Sequence, residues 1–502
     1  MTVKTVDFSG RPFHFIGVGG IGMSALAYVL AKRDFPVSGS DIRPNSITER
    51  LQSVGVKIFN QQVASNLDIF QSLQTSNIDK VPALVGQASN HQDISSSVRE
   101  SSNDHPSHSL SLLPQVICST AIASKNEEYQ AAVEKGCPIF HRSDVLAALI
   151  KDYHSIGVAG THGKTTTSSL IGYVLLEAGL DPTIIVGGEV DAWGGNARLG
   201  EGKYLVAETD ESDGSLVKHQ PQIGVVTNIE LDHPDHYSTL EQVVSIFTTF
   251  ADNCETVVGC ADCEVVLSRL NPKITYSLSP DKQADYTVKN ISYQAGHSVV
   301  EVWERGQYLG TMQVGLPGEH NISNSLAAVA VGRLLGIDFE TIAGAIASFG
   351  GAKRRFELKG IANNITFIDD YAHHPSELIA TLSAARQKVE HGLYSRAIAI
   401  FQPHRYSRTS IFLEEFAQSF KDADLVILTD IYSAGETNTW NIHGEDLVAA
   451  VKKYHPNVIY QPSLTELTQF LPTILQSGDL TLFLGAGNLN QIIPEVLSLC
   501  TP

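Results

Sequence analysis

Basic residues are scarce in this 502-residue chain. Its 35 Lys and Arg stand against 54 Asp and Glu, a formal net charge of −19. That balance excludes broad contact with nucleic acid or an anionic membrane, both of which need a basic surface. An anionic small ligand is still possible where Lys and Arg cluster. Cysteine is sparse too: six are scattered along the chain, which is no disulfide framework. Cys260-Ala261-Asp262-Cys263 has metal-ligand spacing, but no second Cys or His pair is placed to complete a zinc site. No apolar run approaches the roughly 20 residues of a membrane span, and the N-terminal stretch lacks the charged, apolar, small order of a signal peptide. Internal repeats are absent. A cytoplasmic protein without membrane insertion is expected. With 43% apolar residues the chain can bury a core in each of about three domains.

What is present is more specific. The apolar run Ser155-Ile156-Gly157-Val158-Ala159 leads into Gly160-Thr161-His162-Gly163-Lys164-Thr165-Thr166-Thr167. This reads as a strand, a tight glycine turn and a helix. Amides at such a helix start form a concave anion site. The lysine adds charge for the β- and γ-phosphates of ATP, and the threonine hydroxyl can ligate Mg²⁺. A generic phosphate loop would carry glycine five residues before Gly163, where Val158 stands, so this loop is a shortened one.

Three segments emerge around it. The first runs over 1–153, with strands at Phe13–Ile16, Pro36–Ser40, Lys57–Phe59 and Val116–Cys118. Gly17-Val18-Gly19-Gly20-Ile21-Gly22 satisfies a dinucleotide fingerprint, with Asp41 beyond the next strand. Any pyrophosphate can use that turn, so nicotinamide binding is one reading among others. An insertion at about 66–114 interrupts the segment. Nine of the 23 residues from Ser89 to Ser111 are serine, too polar a stretch to offset its own chain entropy. The second segment, 154–355, holds strands at Tyr204–Ala207 and Gly224–Thr227. Short alternating strands follow between about 285 and 314, an antiparallel edge or a small β subdomain. A helix is expected over Asn321–Leu335. The third segment, 356–502, alternates strands at Ile365–Ile368, Ala397–Phe401, Leu425–Leu428 and Leu480–Leu484 with helices. The rhythm predicts an α/β protein of three domains. The first and last would be Rossmann-like, flanking a phosphate-loop domain with a parallel sheet.

Polar groups gather where the strands end. Glu208 opens an acidic run to Asp213, and Asn228-Ile229-Glu230-Leu231-Asp232-His233 closes the following strand. A hard cation needs oxygen ligands, and a carboxylate at a neighbouring strand end can complete what Thr165 begins. Asn321 and Asn324 can donate and accept, as an adenine edge requires. Arg355, at a domain hinge, suits a transferring phosphoryl group. Asp370-Tyr371-Ala372-His373-His374-Pro375 and the block from Phe401 to Thr409 around Arg405 offer anchors for a small zwitterion.

These blocks, from His14-Phe15-Ile16-Gly17 to Gly485-Ala486-Gly487, resemble the Mur ligases over nearly the whole chain outside the insertion. His373-His374-Pro375 and Phe401–Thr409 are the most specific of them. The resemblance implies three domains that hold a UDP-substrate, ATP and an amino acid. It also implies an ATP-dependent amide ligase of peptidoglycan synthesis that joins L-alanine to UDP-N-acetylmuramate through an acyl phosphate. A sibling adding a peptide to the same sugar nucleotide is the alternative. Carried across by motif, Gly160 to Thr166 resemble the phosphate loop, with Lys164 catalytic. Thr165, Glu208 and His233 resemble the Mg²⁺ residues, and His233 is also carried over as catalytic. Asn321 and Asn324 resemble nucleotide contacts, and Arg355 and Asp370 a catalytic pair. Gly19, Gly20, Ser119, Ala121 and Ile122 resemble the contacts to the UDP-sugar; Tyr371, His373 and Arg405 resemble the alanine pocket. A monomer or weak homodimer is expected. The chain departs from the family pattern at Asn60-Gln61-Gln62, at Asn126-Glu127-Glu128 and in the length of its insertion, all within the first segment.

Overall fold

The computed structural model describes residues 5–72, 113–294 and 296–501. The serine-rich stretch Ser89–Ser111 lies outside them. The chain divides into two compact units, 1–142 and 143–502.

The first unit is a five-stranded parallel sheet of β1 (Phe13–Ile16), β2 (Val37–Ser40), β3 (Lys57–Phe59), β4 (Gln115–Cys118) and β5 (Ile139–His141), in the order β3-β2-β1-β4-β5. The strand order reverses between β1 and β4, which places the glycine turn after β1 beside the loop after β4, at a topological switch point. Phe13, Phe15, Ile16 and Val116 are fully buried because the sheet is covered on both faces. Buried polar groups are paired. Glu128 accepts from Asn66 Nδ2 at 2.8 Å and Ser40 Oγ at 2.5 Å, and its Oε1 lies 2.8 Å from His14 Nε2.

The second unit holds two sheets. β6 (His154–Ala159) lies inside a sheet of ten strands, with β7 (Thr183–Val190), β8 (Gly195–Arg198), β9 (Tyr204–Glu208) and β10 (Ile223–Val226). β6 pairs in parallel with β10 on one side and β9 on the other. Strands Tyr286–Tyr293, Ser298–Glu304 and Gln307–Val314 are antiparallel and continue this sheet at one end. Of the two forms the alternating pattern allows, the chain takes the edge extension. The helix Lys164–Glu177 packs its apolar side chains, including Leu170, Ile171 and Val174, with those of Glu319–Leu334 in one core. The remaining six strands form a sheet whose middle is Ile365–Asp370, Asp479–Leu484 and Arg396–Phe401, all parallel, with Glu357–Ala362 antiparallel at an edge. Full burial of Phe367, Phe401 and Phe483 contributes roughly 2–3 kcal/mol each. Among the described residues no helix is long and apolar enough to cross a membrane.

Candidate active site

The strand order of the second unit decides where chemistry can occur. β6, β9 and β10 are adjacent and parallel, so the loops that follow them meet at one edge. The loop after β6 turns on two glycines with positive φ, Gly160 at 143° and Gly163 at 81°. A methyl at Gly160 would stand 1.9 Å from Thr227 Oγ1, and one at Gly163 2.7 Å from Asn324 Oδ1. Neither position accepts a side chain. The end of β10 holds the loop in place: the amide of His162 donates to Asn228 Oδ1 at 2.8 Å, and that of Thr161 to the Asn228 carbonyl at 3.0 Å.

Lys164 opens the helix and turns its ammonium back onto the loop. It donates to the carbonyls of Gly160 (2.7 Å) and Thr161 (3.2 Å) and to Glu211 Oε1 (2.8 Å). Burial works against its charge, but Glu211 and then Asp210 hold its pKa above the ordinary value. Thr165 Oγ1 donates to Glu208 Oε1 at 3.1 Å, and Glu208 Oε2 accepts from the amide of Gly187 at 2.6 Å. A Cβ on Gly187 would strike the Glu208 carboxylate and one on Gly188 would strike Thr165, so β7 leaves a glycine cradle around two oxygen donors. That donor set suits a hard cation. His233, in the left-handed region at φ 53°, clusters with Asp210 and with Glu211, the carboxylate that also partners Lys164. Burial lowers its pKa, which favours the neutral imidazole.

A cavity of about 380 Å³ opens beside the loop, lined by His162, Gly163, Thr166, Asn321, Asn324 and Arg355 among others. Asn324 is fixed by Thr167 Oγ1 at 3.1 Å and by its own amide to Asn321 Oδ1 at 3.2 Å. Arg355 lies over the Tyr371 ring at 5.3 Å. Asp370, also on the cavity wall, accepts from the amides of Phe356 (2.7 Å) and Ala372 (2.8 Å). Its pKa is raised by burial although Arg355 opposes the shift. His373 sits edge-on to Tyr371 at 5.2 Å and to His404 at 5.9 Å. Arg405, at φ 73°, bonds Asp235 Oδ2 at 3.0 Å and Glu436 Oε1 at 3.2 Å. The phosphate-loop residues His162, Gly163 and Thr166, the two asparagines, Arg355 and Asp370 therefore line one cavity of the second unit, and Glu377 on its wall links His162 to His373.

In the first unit, Gly19 donates its amide to Asp41 Oδ2 at 2.9 Å. The residue that a dinucleotide fingerprint would give to a ribose is thus tied to the glycine turn itself. Gly17 faces Ile122, where an added methyl would stand 3.3 Å from Ile122 Cδ1, so Gly19 and Gly20 share an edge with Ser119, Ala121 and Ile122.

Several residues carry the geometry without having been singled out in the sequence. Glu211 partners Lys164. Arg408, 2% exposed, donates to Asp232 Oδ1 at 3.0 and 2.9 Å. Glu377 lies 3.2 Å from His162 Nδ1 and 3.1 Å from His373 Nδ1. The available signal for Glu377 was its position three residues after His374, a capping-box spacing that the structure realises. Glu211 and Asp232 stand within acidic runs that gave no reason to prefer one carboxylate over its neighbours. Cys260 and Cys263 are free thiols on the cavity wall, with the Cys260 pKa raised by burial.

Comparison with known proteins agrees along the whole chain. Residues 12–154 match the description "Mur ligase family, catalytic domain", 158–332 "Mur ligase middle domain" and 354–487 "Mur ligase, glutamate ligase domain". The UDP-N-acetylmuramate–L-alanine ligase of Synechocystis sp. is 67% identical over 501 residues, covering 100% of this chain and 99% of that one. The protein of the same name from Gloeothece citriformis is 64% identical over 496 residues, with 99% of each covered. Among solved structures, UDP-N-acetylmuramate–alanine ligase from Thermotoga maritima aligns with a TM-score of 0.75 at 27% identity, covering 97% of this chain and 98% of that one. A murein peptide ligase from Psychrobacter arcticus has the same fold at 22% identity and a TM-score of 0.66, covering 98% and 99%.

Proposed function

The chain belongs to the Mur ligase family, and from that premise we propose that it joins L-alanine to UDP-N-acetylmuramate in an ATP-driven step of peptidoglycan synthesis. The step serves cell-wall growth, and through it cell shape and division. The observation that carries this reading is the shared edge of the second unit, where a phosphate loop meets the Arg355–Asp370 and His373–Arg405 segments. The name borne by the 67% and 64% relatives selects alanine as the amino acid.

A carboxylate is a poor electrophile, so amide formation needs it activated. In this reading a lactyl carboxylate oxygen attacks the γ-phosphorus of ATP, the bond to the β–γ bridging oxygen breaks, and ADP leaves an acyl phosphate behind. The free amine of alanine then adds, and phosphate leaves. Gly160 to Thr166 cradle the phosphates, and Lys164 and Arg355 neutralise charge on the moving phosphoryl group. Asn321 and Asn324 hold the base. Asp370, fixed by two amides, keeps Arg355 in position. Mg²⁺ would be held by Thr165 and Glu208, with His233 at a second position, and would screen charge on the phosphates. Tyr371, His373 and Arg405 take the amino acid, while Gly19, Gly20, Ser119, Ala121 and Ile122 take the UDP-sugar.

The reading divides the chain into a UDP-substrate domain at 1–153, an ATP domain at 154–355 and an amino-acid domain at 356–502, working in the cytoplasm as a monomer or weak homodimer. The test is phosphate release from ATP and Mg²⁺ with UDP-N-acetylmuramate and a panel of acceptors. Release that needs both the sugar nucleotide and L-alanine is expected. Release with the sugar nucleotide and a peptide alone would contradict it.

A further inference from the structure

We propose that His162, Glu230 and His374 form a binding site for a divalent transition ion of the zinc class. The three residues come from the phosphate loop, the loop after β10 and the residue that caps the helix Pro375–Glu390. One ligand atom from each lies within 4.8 Å of the other two. His162 Nε2 stands 3.4 Å from Glu230 Oε2, and His374 Nδ1 stands 3.9 Å from the same oxygen. Zinc bonds of about 2.0–2.2 Å in a tetrahedron set ligand atoms roughly 3.3–3.6 Å apart. One of the ligand pairs is therefore at that spacing and a second is 0.3 Å beyond it before any ion arrives.

The donor chemistry agrees. Two imidazoles and a carboxylate are a zinc-type set, unlike the all-oxygen pair at Thr165 and Glu208. His374 is buried, and the Nδ1 that faces Glu230 accepts only a long 3.3 Å bond from the Ser376 amide, which the ion would displace. The surrounding groups orient the ligands as outer partners do in metal sites. Glu377 Oε1 lies 3.2 Å from His162 Nδ1, and Ser376 Oγ donates to Glu230 Oε2 at 2.6 Å. Without metal, His162 Nε2 is buried with no hydrogen-bond partner. The ion would take its lone pair, and any proton on Nε2 would leave to solvent as His162 becomes a neutral ligand. Bound there, the ion would brace the phosphate loop against the first turn of Pro375–Glu390.

The site adjoins the phosphate loop, but its test is independent of the ligase reading because it needs no turnover. Purified full-length protein is titrated with Zn²⁺ alone against a chromogenic chelator, and with Co²⁺ by visible absorption. The wild type is expected to compete for zinc and to give the intense bands of four-coordinate cobalt. Glu230→Gln and His374→Asn, which keep size and a capping oxygen, are each expected to weaken the tightest zinc site at least tenfold with unchanged circular dichroism. Unchanged affinity in both variants would overturn the proposal. So would loss of the site with Asp210→Asn instead, or a purely six-coordinate cobalt spectrum in the wild type.

Discussion

Lys164 meets three protein acceptors with its ammonium, two loop carbonyls and Glu211. Its place was legible because lysine after a glycine turn that follows a strand has one dominant use. Its partner was not, since Glu208-Thr209-Asp210-Glu211 offers three carboxylates in four residues and only folding decides which one turns inward. Lys164→Ala is expected to lower turnover by on the order of 10²–10³, the cost of one transition-state contact, with the fold unchanged. Activity above a tenth of wild type in a steady-state assay would contradict its role. His162 gives a pH effect. Burial disfavours its charge, yet Glu230 and Glu377 raise its pKa from 6.5 to about 10. The folded state thus keeps a proton that the unfolded chain loses. The stabilisation is full below about pH 6.5 and is lost as pH rises through about 10. Denaturant titrations across that window should show stability falling with pH, and falling less steeply in His162→Gln.

Among the elements, strands following a clear apolar run were readable to within a residue or two, as at Lys57–Phe59 and Leu425–Leu428. The hairpin of β7 and β8 was not, because Gly187 and Gly188 break its alternation. Those glycines make room for Glu208 and Thr165, so the local rule fails where the site needs space. Gly160→Ala tests the same principle in the phosphate loop. Its methyl would overlap Thr227, and positive φ adds strain, so nucleotide affinity by calorimetry should fall more than tenfold. The buried pair between the loop after β10 and the helix Tyr406–Ile411 is the other element-scale device. Arg408→Ala would leave Asp232 buried without its hydrogen-bonded guanidinium, whereas Arg408 now holds its carboxyl far below the usual range although burial opposes. A loss of about 3–5 kcal/mol is expected, read from the urea midpoint. A loss under about 1 kcal/mol would mean that the pair is not what joins these elements.

For the molecule as a whole, the alternation of strands and helices predicted layered α/β architecture, and all three sheets follow it. The route by which the 286–314 strands join the ten-stranded sheet was not legible, since periodicity gives strands but not their neighbours. Activation of a carboxylate by phosphoryl transfer is the claim on which the functional account turns. It is tested most directly with UDP-N-acetylmuramate carrying a heavy oxygen isotope in both carboxylate positions, turned over with ATP, Mg²⁺ and L-alanine. Attack of that carboxylate on the γ-phosphate, followed by amide formation, must leave one labelled oxygen in each inorganic phosphate released. Unlabelled phosphate, or label appearing in AMP, would contradict it.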